Sequence, residues 1–367
     1  MKKLVLATAV AALSITAAQA APTVYGKVFL TLDLNDGDTD RSSVITTAET
    51  NHVTKLTTRT TTTPSGRLPS NDRSQLNSIG SRVGFRGSEA LTANTDLVYQ
   101  LEYGVKVDDN SQQFRSRDTY LGLSNKEYGT LLAGRLKAID GRVDYANVTQ
   151  GGVIDGDNVL ASFDAPRANN ALAYVSPNYN GATFSAMYVM DENNSSDTLN
   201  RDAFGVAAQF EPAGQPYRAG ISYIQAGDDL KAIRVSGDYQ LSAATKVGLL
   251  YQNTDRDGDK KENAVTISAK HAVAQTPWAV YGQVDLVDNF AGVSDAEKQR
   301  FVVGGEYRFN RATTGHIYGA YLNSDKIVTT EKSSVFNADT LSTREVTAVH
   351  TDDYDGFGIG AGIEYRF

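Results

Sequence analysis

The sequence predicts an all-β fold: a closed transmembrane antiparallel β-barrel of sixteen strands. Three observations carry this reading. The first is strict period-two alternation at the end of the chain, where Phe357, Ile359, Ala361, Ile363, Tyr365 and Phe367 share one face and Gly356, Gly358, Gly360, Gly362, Glu364 and Arg366 the other. The second is where the hydrophobic residues lie. They make up 41% of 367 residues, yet past residue 20 no apolar run is long enough for a spanning helix. A barrel is the spanning architecture that spreads its hydrophobicity over short alternating strands. The third is a regular beat of turn signals in which short and long connections alternate.

In chain order, Met1-Lys2-Lys3, an apolar run over residues 4–18 and Ala18-Gln19-Ala20 form the positive region, hydrophobic region and small-residue cleavage site of a secretory signal. Residues 1–20 are expected to be removed, leaving 21–367 as a single barrel domain. Losing Lys2 and Lys3 takes the formal charge from −8 to −10. An acidic exported chain is a poor nucleic-acid partner. With no cysteine, neither a disulfide framework nor a thiolate metal site is available.

The first strand, 23–35, sets Val24, Val28, Leu30, Leu32 and Leu34 against Tyr25, Lys27, Phe29, Thr31 and Asp33. The last, 355–367, needs a partner for its edge. Pairing the two closes the sheet. Between them the alternation marks 75–87, 95–107, 115–124, 130–136, 169–177, 182–191, 202–211, 216–225, 230–241, 245–254, 263–273, 277–288, 298–309 and 314–324. That makes sixteen, an even count as single-chain bacterial barrels have. Turns such as 88–94, 125–129, 178–181, 242–244 and 310–313 are short; 36–74, 137–168 and 325–354 are long. The stretch 36–74, rich in Thr from Thr57 to Thr63 with Lys55 and Arg59 nearby, reads as a mobile exposed loop. A soluble β-sandwich would also alternate, but it leaves mid-strand charge, the leader and the terminal Phe unexplained.

Several motifs recur in a distinctive order: Ser81-Arg-Val-Gly-Phe-Arg-Gly87, Tyr120-Leu-Gly-Leu-Ser124, Tyr128-Gly-Thr-Leu-Leu-Ala-Gly-Arg135, then Arg167-Ala-Asn-Asn-Ala-Leu-Ala-Tyr-Val-Ser-Pro177 and a final Tyr365-Arg-Phe367. Together they resemble the Gram-negative outer-membrane general porins of the sixteen-stranded, trimeric type. The resemblance implies an outer-membrane homotrimer surrounded by lipid and lipopolysaccharide, with a third long loop folded into the lumen. It also implies that Phe367, Tyr365 and Ile363 are read by the outer-membrane assembly machinery. Residues 137–168 occupy the position of the inward loop, although they lack the Pro-Glu-Phe-Gly-Gly of the enterobacterial pattern.

Sixteen strands enclose a lumen wide enough for small solutes, so something must narrow it. The loop 137–168 carries Asp140, Asp144, Asp155, Asp157 and Asp164, with Gly151, Gly152 and Gly156. Strand parity places Lys27, Arg82 and Arg86 on the lumen face, and Arg135 matches a wall arginine by its motif position. Arginines stay charged at any ordinary pH. Facing carboxylates across water, they would set a transverse field that orders polar solutes. The expected function is passive diffusion of small hydrophilic solutes and ions with a modest cation preference. The alternatives are a substrate-preferring channel of the same fold and an adhesin or receptor barrel with a plugged lumen.

No enzyme motif is present and no cofactor is implied. His52, His271, His316 and His350 are scattered, and neither Gly-x-Ser-x-Gly nor His-Glu-x-x-His occurs. The acidic runs 36–40 and 255–262 read as solvated loop acids; in the second, Gly258 sits one place early and the later acid spacing is wrong for an EF-hand. The terminal glycine ladder has period two and no following helix, so it is not a nucleotide loop. Its small residues are expected to let the wall curve or to let a neighbour approach.

Overall fold

A computed structural model describes residues 21–70, 72–109, 113–152, 159–190 and 202–367; the leader reading at 1–20 lies outside them. The barrel opens with β1 (Thr23–Asn51). Four consecutive segments, Leu56–Thr62, Ser65–Arg67, Arg73–Ser78 and Arg82–Ala90, all pair antiparallel with β1 and form one interrupted stave, β2. Next come β3 (Thr95–Val105), β4 (Phe114–Asn125), β5 (Gly129–Leu136), β6 (Ala168–Val175), β7 (Ala182–Val189) and β8 (Ala203–Phe210). The second half is β9 (Tyr217–Ala226), β10 (Leu230–Gln240), β11 (Thr245–Asp255), β12 (Glu262–Ala272), β13 (Trp278–Asp288), β14 (Glu297–Arg308), β15 (Thr313–Asn337) and β16 (Ser342–Arg366). Each stave pairs with its sequence neighbours, and β1 pairs with β16 from Lys27↔Arg366 to Asn51↔Ser342. The result is a closed sixteen-stranded antiparallel ring.

Closure answers the one demand that lipid makes of a backbone. Every N–H and C=O in the hydrocarbon region must find a partner within the protein, and a ring has no edge. The alternation read from the sequence sorts as expected. Phe357, Ile359, Ile363, Tyr365 and Phe367 are exposed on the outside, whereas Glu364 is buried inside. The rings of Tyr365 and Phe367 stack on that outer face with centroids 6.1 Å apart. At the seam, the Gly26 N–H donates to the Phe367 carbonyl at 2.9 Å, and the Phe367 N–H donates back at 3.2 Å.

The strand limits follow the expected ones within a few residues, except at two places. Much of 36–74 and of 325–354 forms strand, not loop. β1 runs on to Asn51, β15 to Asn337, and β16 begins at Ser342, with Leu56–Thr62 joining alongside. The order across this sheet is β15, β16, β1, β2. It stands beyond the rim, since β14 pairs with β15 only as far as Asp325. Above the membrane both faces meet water, so neither needs apolar residues and the period-two hydrophobic signal is absent. What holds these strands is the β-propensity of Thr and Val together with cross-strand pairs. Arg41 and Asp352 form a bidentate pair at 2.7 and 2.6 Å, and Ser43 bonds the His350 ring at 2.7 Å. The acidic run at 36–40 is engaged as well, with Asp38 2.8 Å from Arg67.

The buried apolar clusters sit inside the barrel, where the loop between β5 and β6 packs on the wall. Ile139, Val143 and Phe163 meet Ala171, Ala173, Ala203 and Ala207. Val148 and Leu160 meet Tyr281 and Tyr318. Small wall residues on this arc give the loop a seat, so part of the lumen is filled and the passage is confined to the remaining arc.

Candidate functional site

The loop leaves β5, enters a short turn at Ile139–Arg142 and then follows the inner wall almost strand by strand. Gln209 on β8 donates to the Arg142 carbonyl at 3.0 Å. The Tyr145 N–H donates to Ser236 Oγ on β10 at 3.1 Å. Ser268 on β12 donates to the Ala146 carbonyl. The Val148 N–H donates to Gln283 Oε1 on β13 at 2.9 Å. At the tip, the Gly152 N–H reaches Tyr318 Oη on β15 at 3.4 Å. Tyr318 in turn donates to Asp33 at 2.5 Å, and Asp33 also receives Thr31 and Asn77. This cluster also accounts for one rung of the glycine ladder: a Cβ at Gly360 would meet Asp33 at 2.2 Å and Tyr318 at 2.4 Å.

The return limb is held by charge. Arg256 donates to the Ser162 carbonyl at 2.6 Å and lies over the Phe163 ring at 5.7 Å, while Gln252 donates to the Phe163 carbonyl at 2.6 Å. Arg234, only 1% exposed, binds Asp164 at 2.8 Å and lies 3.5 Å from Asp140. Asp140 also accepts from the Ala165 N–H at 3.0 Å and the Gly141 N–H at 2.8 Å, tying the two limbs together.

Burial pushes the Asp140 carboxyl above its usual range, against the pull of Arg234. Burial likewise lowers the Arg142 guanidinium and raises the Tyr145 phenol to about 12. A buried carboxylate sharing an arginine is a latch, and Asp140 is therefore placed away from the water-filled passage where an acidic rim was expected.

Of the other loop acids, Asp144 is half-buried and receives the Asn147 N–H, and Asp164 is the more exposed partner of Arg234. Asp155 and Asp157 lie outside the described residues.

Across the lumen, β1 to β5 and the residue before β6 carry a second set of basic side chains. Lys27 sits 3.5 Å from Glu364, Arg86 lies over the Tyr25 ring at 5.0 Å, and Arg82 and Arg117 share Glu102 at 3.6 and 2.5 Å. Arg167 binds Asp118 at 2.7 Å. A cavity of about 420 Å³ is lined by Gly104, Lys106, Arg115, Arg117, Arg135 and Arg167. Arg135 is held by the Ser116 carbonyl at 3.0 Å and by the Asn169 side chain. Arg115 and Arg135 have no carboxylate at ion-pair distance among the described residues, and counted over those residues this arc carries a surplus of positive charge.

The sequence reading did not single out Arg115, Arg117, Arg142 or Arg167. A bulge explains the first two. β4 pairs Thr119 with Leu101 and then Ser116 with Tyr103, so Arg117 and Asp118 together face Glu102. Parity inverts there, and alternation counted from the periodic part of β4 misplaces what precedes it. Arg115 and Arg117 at i, i+2 were the available signal.

Gly151 gives a direct test of the docked tip. Its φ is +97°, and an added Cβ would lie 2.1 Å from the Tyr318 ring. Gly151→Val is expected to lift the tip off β15 and raise single-channel conductance while the barrel stays folded. Unchanged conductance would show that the tip does not limit the passage.

Comparison with known proteins agrees with this geometry. A family model described as Gram-negative porin matches residues 6–326. The major outer membrane protein P.IB of Neisseria gonorrhoeae is 26% identical over 296 residues, covering 71% of this chain and 84% of that relative. Among solved structures, an anion-selective porin from Comamonas acidovorans superposes with a TM-score of 0.62 at 19% identity, covering 94% of this chain and 99% of that one. The trimer form of OmpT, an outer membrane protein of Vibrio cholerae, gives 0.58 at 16% identity, covering 90% and 99%.

Proposed function

The chain belongs to the Gram-negative porin family, and on that premise we propose that it is a general diffusion channel whose ion preference is set by the basic arc. As a member of that family it is an outer-membrane β-barrel channel and not an enzyme. Residues 1–20 act as the export signal, removed to leave the barrel. Small hydrophilic solutes and ions cross passively through the space the loop leaves open. The barrel assembles as a homotrimer among lipid and lipopolysaccharide, as the trimer form of the Vibrio cholerae relative suggests. Phe367, Tyr365 and Ile363 on the outer face present the assembly signal.

One observation carries the selectivity. The loop covers the arc from β8 to β15, and its carboxylate Asp140 is latched to Arg234. The open arc presents Lys27, Arg82, Arg86 and Arg135, with Arg115, Arg117 and Arg167 beside them. Glu364, Glu102 and Asp118 offset only part of this charge. The overall charge of −10 after removal of residues 1–20 favours cations, as the sequence suggested. Fixed charges at the narrow point act on an ion within a few ångströms, whereas charge spread over the surface is screened beyond about 10 Å at 0.1 M salt. The local sign therefore prevails, and the channel prefers anions. The anion-selective porin of Comamonas acidovorans has the same fold. Reversal potentials across a planar bilayer under a potassium chloride gradient test this. The expected sign is that of chloride permeating faster than potassium; the opposite sign would restore the cation preference and place the selecting charges elsewhere.

A further inference from the structure

The sheet above the rim ends in two bare edges. From Ile327 to Asn337, β15 pairs with β16 on one side and with no other described strand. From Leu56 to Thr62, β2 pairs with β1 and with no other described strand. Long unpaired edges are ordinarily blunted by prolines, bulges or charge, because their N–H and C=O groups template pairing. Here the blunting is slight. Glu331, Lys332 and Arg59 are the only charged residues on the two edges, and Pro64 and the register shift between Ser324 and Ile327 merely bound them. The rest are mostly strand formers, among them Ile327, Val328, Val335 and a run of threonines.

Strand direction selects the partner. Copies in one membrane are related by rotation about its normal, which keeps up-strands up. β15 ascends from the rim and β2 descends toward it, so β15 of one copy meets β2 of the next antiparallel, whereas like edges would meet parallel. An edge that fits a different edge on an identical neighbour is a heterologous interface, which closes into a ring when the rotation between copies divides a full turn.

The exposed apolar residues support the same pairing. Leu56 is level with Asn51, Asn51 with Ser342, and Ser342 with Asn337. Leu56 on one edge, and Val335 and Phe336 on the other, therefore lie at similar height, to within the few residues that a strand tilt of about 40° introduces. They are 65%, 64% and 57% exposed in a single copy, on a sheet otherwise dominated by Thr, Ser and charged residues. Such residues at the corners of two bare edges have a reason if the edges meet.

We infer that the extramembrane sheets of neighbouring copies join edge to edge, β15 of one to β2 of the next, making a continuous β-wall above the ring of barrels. The inference goes beyond the channel reading and rests only on the copies sharing one membrane.

The chain has no cysteine, which makes the test clean. Thr60→Cys would be combined with Thr329→Cys, Glu331→Cys, Ser333→Cys or Val335→Cys, all on the face that Thr60 shares. The variants would be oxidised in outer membranes and run on denaturing gels. The expected result is a ladder of disulfide-linked dimers and trimers that peaks at one β15 position and is absent from each single-cysteine variant. Linking by Thr60→Cys alone, or no linking in any combination, would overturn the proposal. Leu56→Asp and Phe336→Asp supply a second measurement: each is expected to lower the temperature at which the oligomer dissociates, and an unchanged temperature for both would also count against it. Single-channel conductance of the same preparations reports whether the barrels are intact, so failure of the edge pairing is distinguishable from failure of the channel reading.

Discussion

Arg234→Leu is expected to free the return limb of the lumen loop. Arg234 is the counter-ion of the buried Asp140 carboxylate and also binds Asp164 and the Gln252 side chain. Removing one partner of a buried pair leaves an unpaired charge, at a cost of about 3–5 kcal/mol. By the relation of about 1.4 kcal/mol per factor of ten, the undocked population rises by roughly two to three orders of magnitude. Single-channel recordings would show a larger and noisier open level, and the loop would become sensitive to protease.

The pH dependence has a definite sign. Burial already holds the Asp140 carboxyl above its usual range, and without Arg234 only the Ala165 and Gly141 N–H donors still oppose that shift. An acid whose folded pKa is raised favours the docked loop at low pH and loses that contribution as pH rises through the folded pKa. The noise of Arg234→Leu should therefore grow with pH. In the double variant Asp140→Leu/Arg234→Leu no buried charge is left stranded, since Asp164, the other partner of Arg234, is half-exposed, so most of the docking should return. A single variant with wild-type conductance and protease resistance would show that the pair does not hold the loop.

Arg115→Glu combined with Arg135→Glu is expected to invert the ion preference. Neither arginine has a carboxylate at ion-pair distance among the described residues, and both line the same cavity as Arg117 and Arg167. Each reversal changes the local charge by two units. For an ion passing at about 5 Å in water, that alters its energy by roughly 1.5 kcal/mol per site, with opposite sign for cation and anion, or about tenfold in the permeability of each. The reversal potential in a salt gradient should change sign. Conductance in symmetric salt should change far less, since the loop anchors are untouched. If the sign holds, the selecting charges are Lys27, Arg82 and Arg86 further along the arc, and the same substitutions there become the informative ones.

Most of the wall was legible in the sequence because lipid imposes a simple rule on it. A strand with hydrocarbon outside and water inside must alternate, so Leu97 to Val105, Phe204 to Phe210 and Ile359 to Phe367 announced themselves. The rule fails where the environment is the same on both sides. Leu56–Thr62 and Ile327 to Asn337 stand in water on both faces, and their threonines and serines read as loop. It fails again where the register breaks, as at Arg117 and Asp118, because a bulge exchanges the faces without changing the composition.

The loop shows the same division. Its place and its glycines could be read directly, and so could its excess of acid. That Asp140 would be a latch could not, because the partner, Arg234, lies 94 residues away on the far wall.

The sequence by itself determined that the chain closes a ring with its first and last strands and keeps apolar side chains outward. Both follow from local periodicity and from the demand that every backbone group in lipid be paired. Only the tertiary structure decided which charges meet water and which meet each other. That depends on which arc of the wall the loop covers, and long-range packing of small residues such as Ala203 and Ala207 against Ile139 and Phe163 sets it, with no trace in any short stretch of residues.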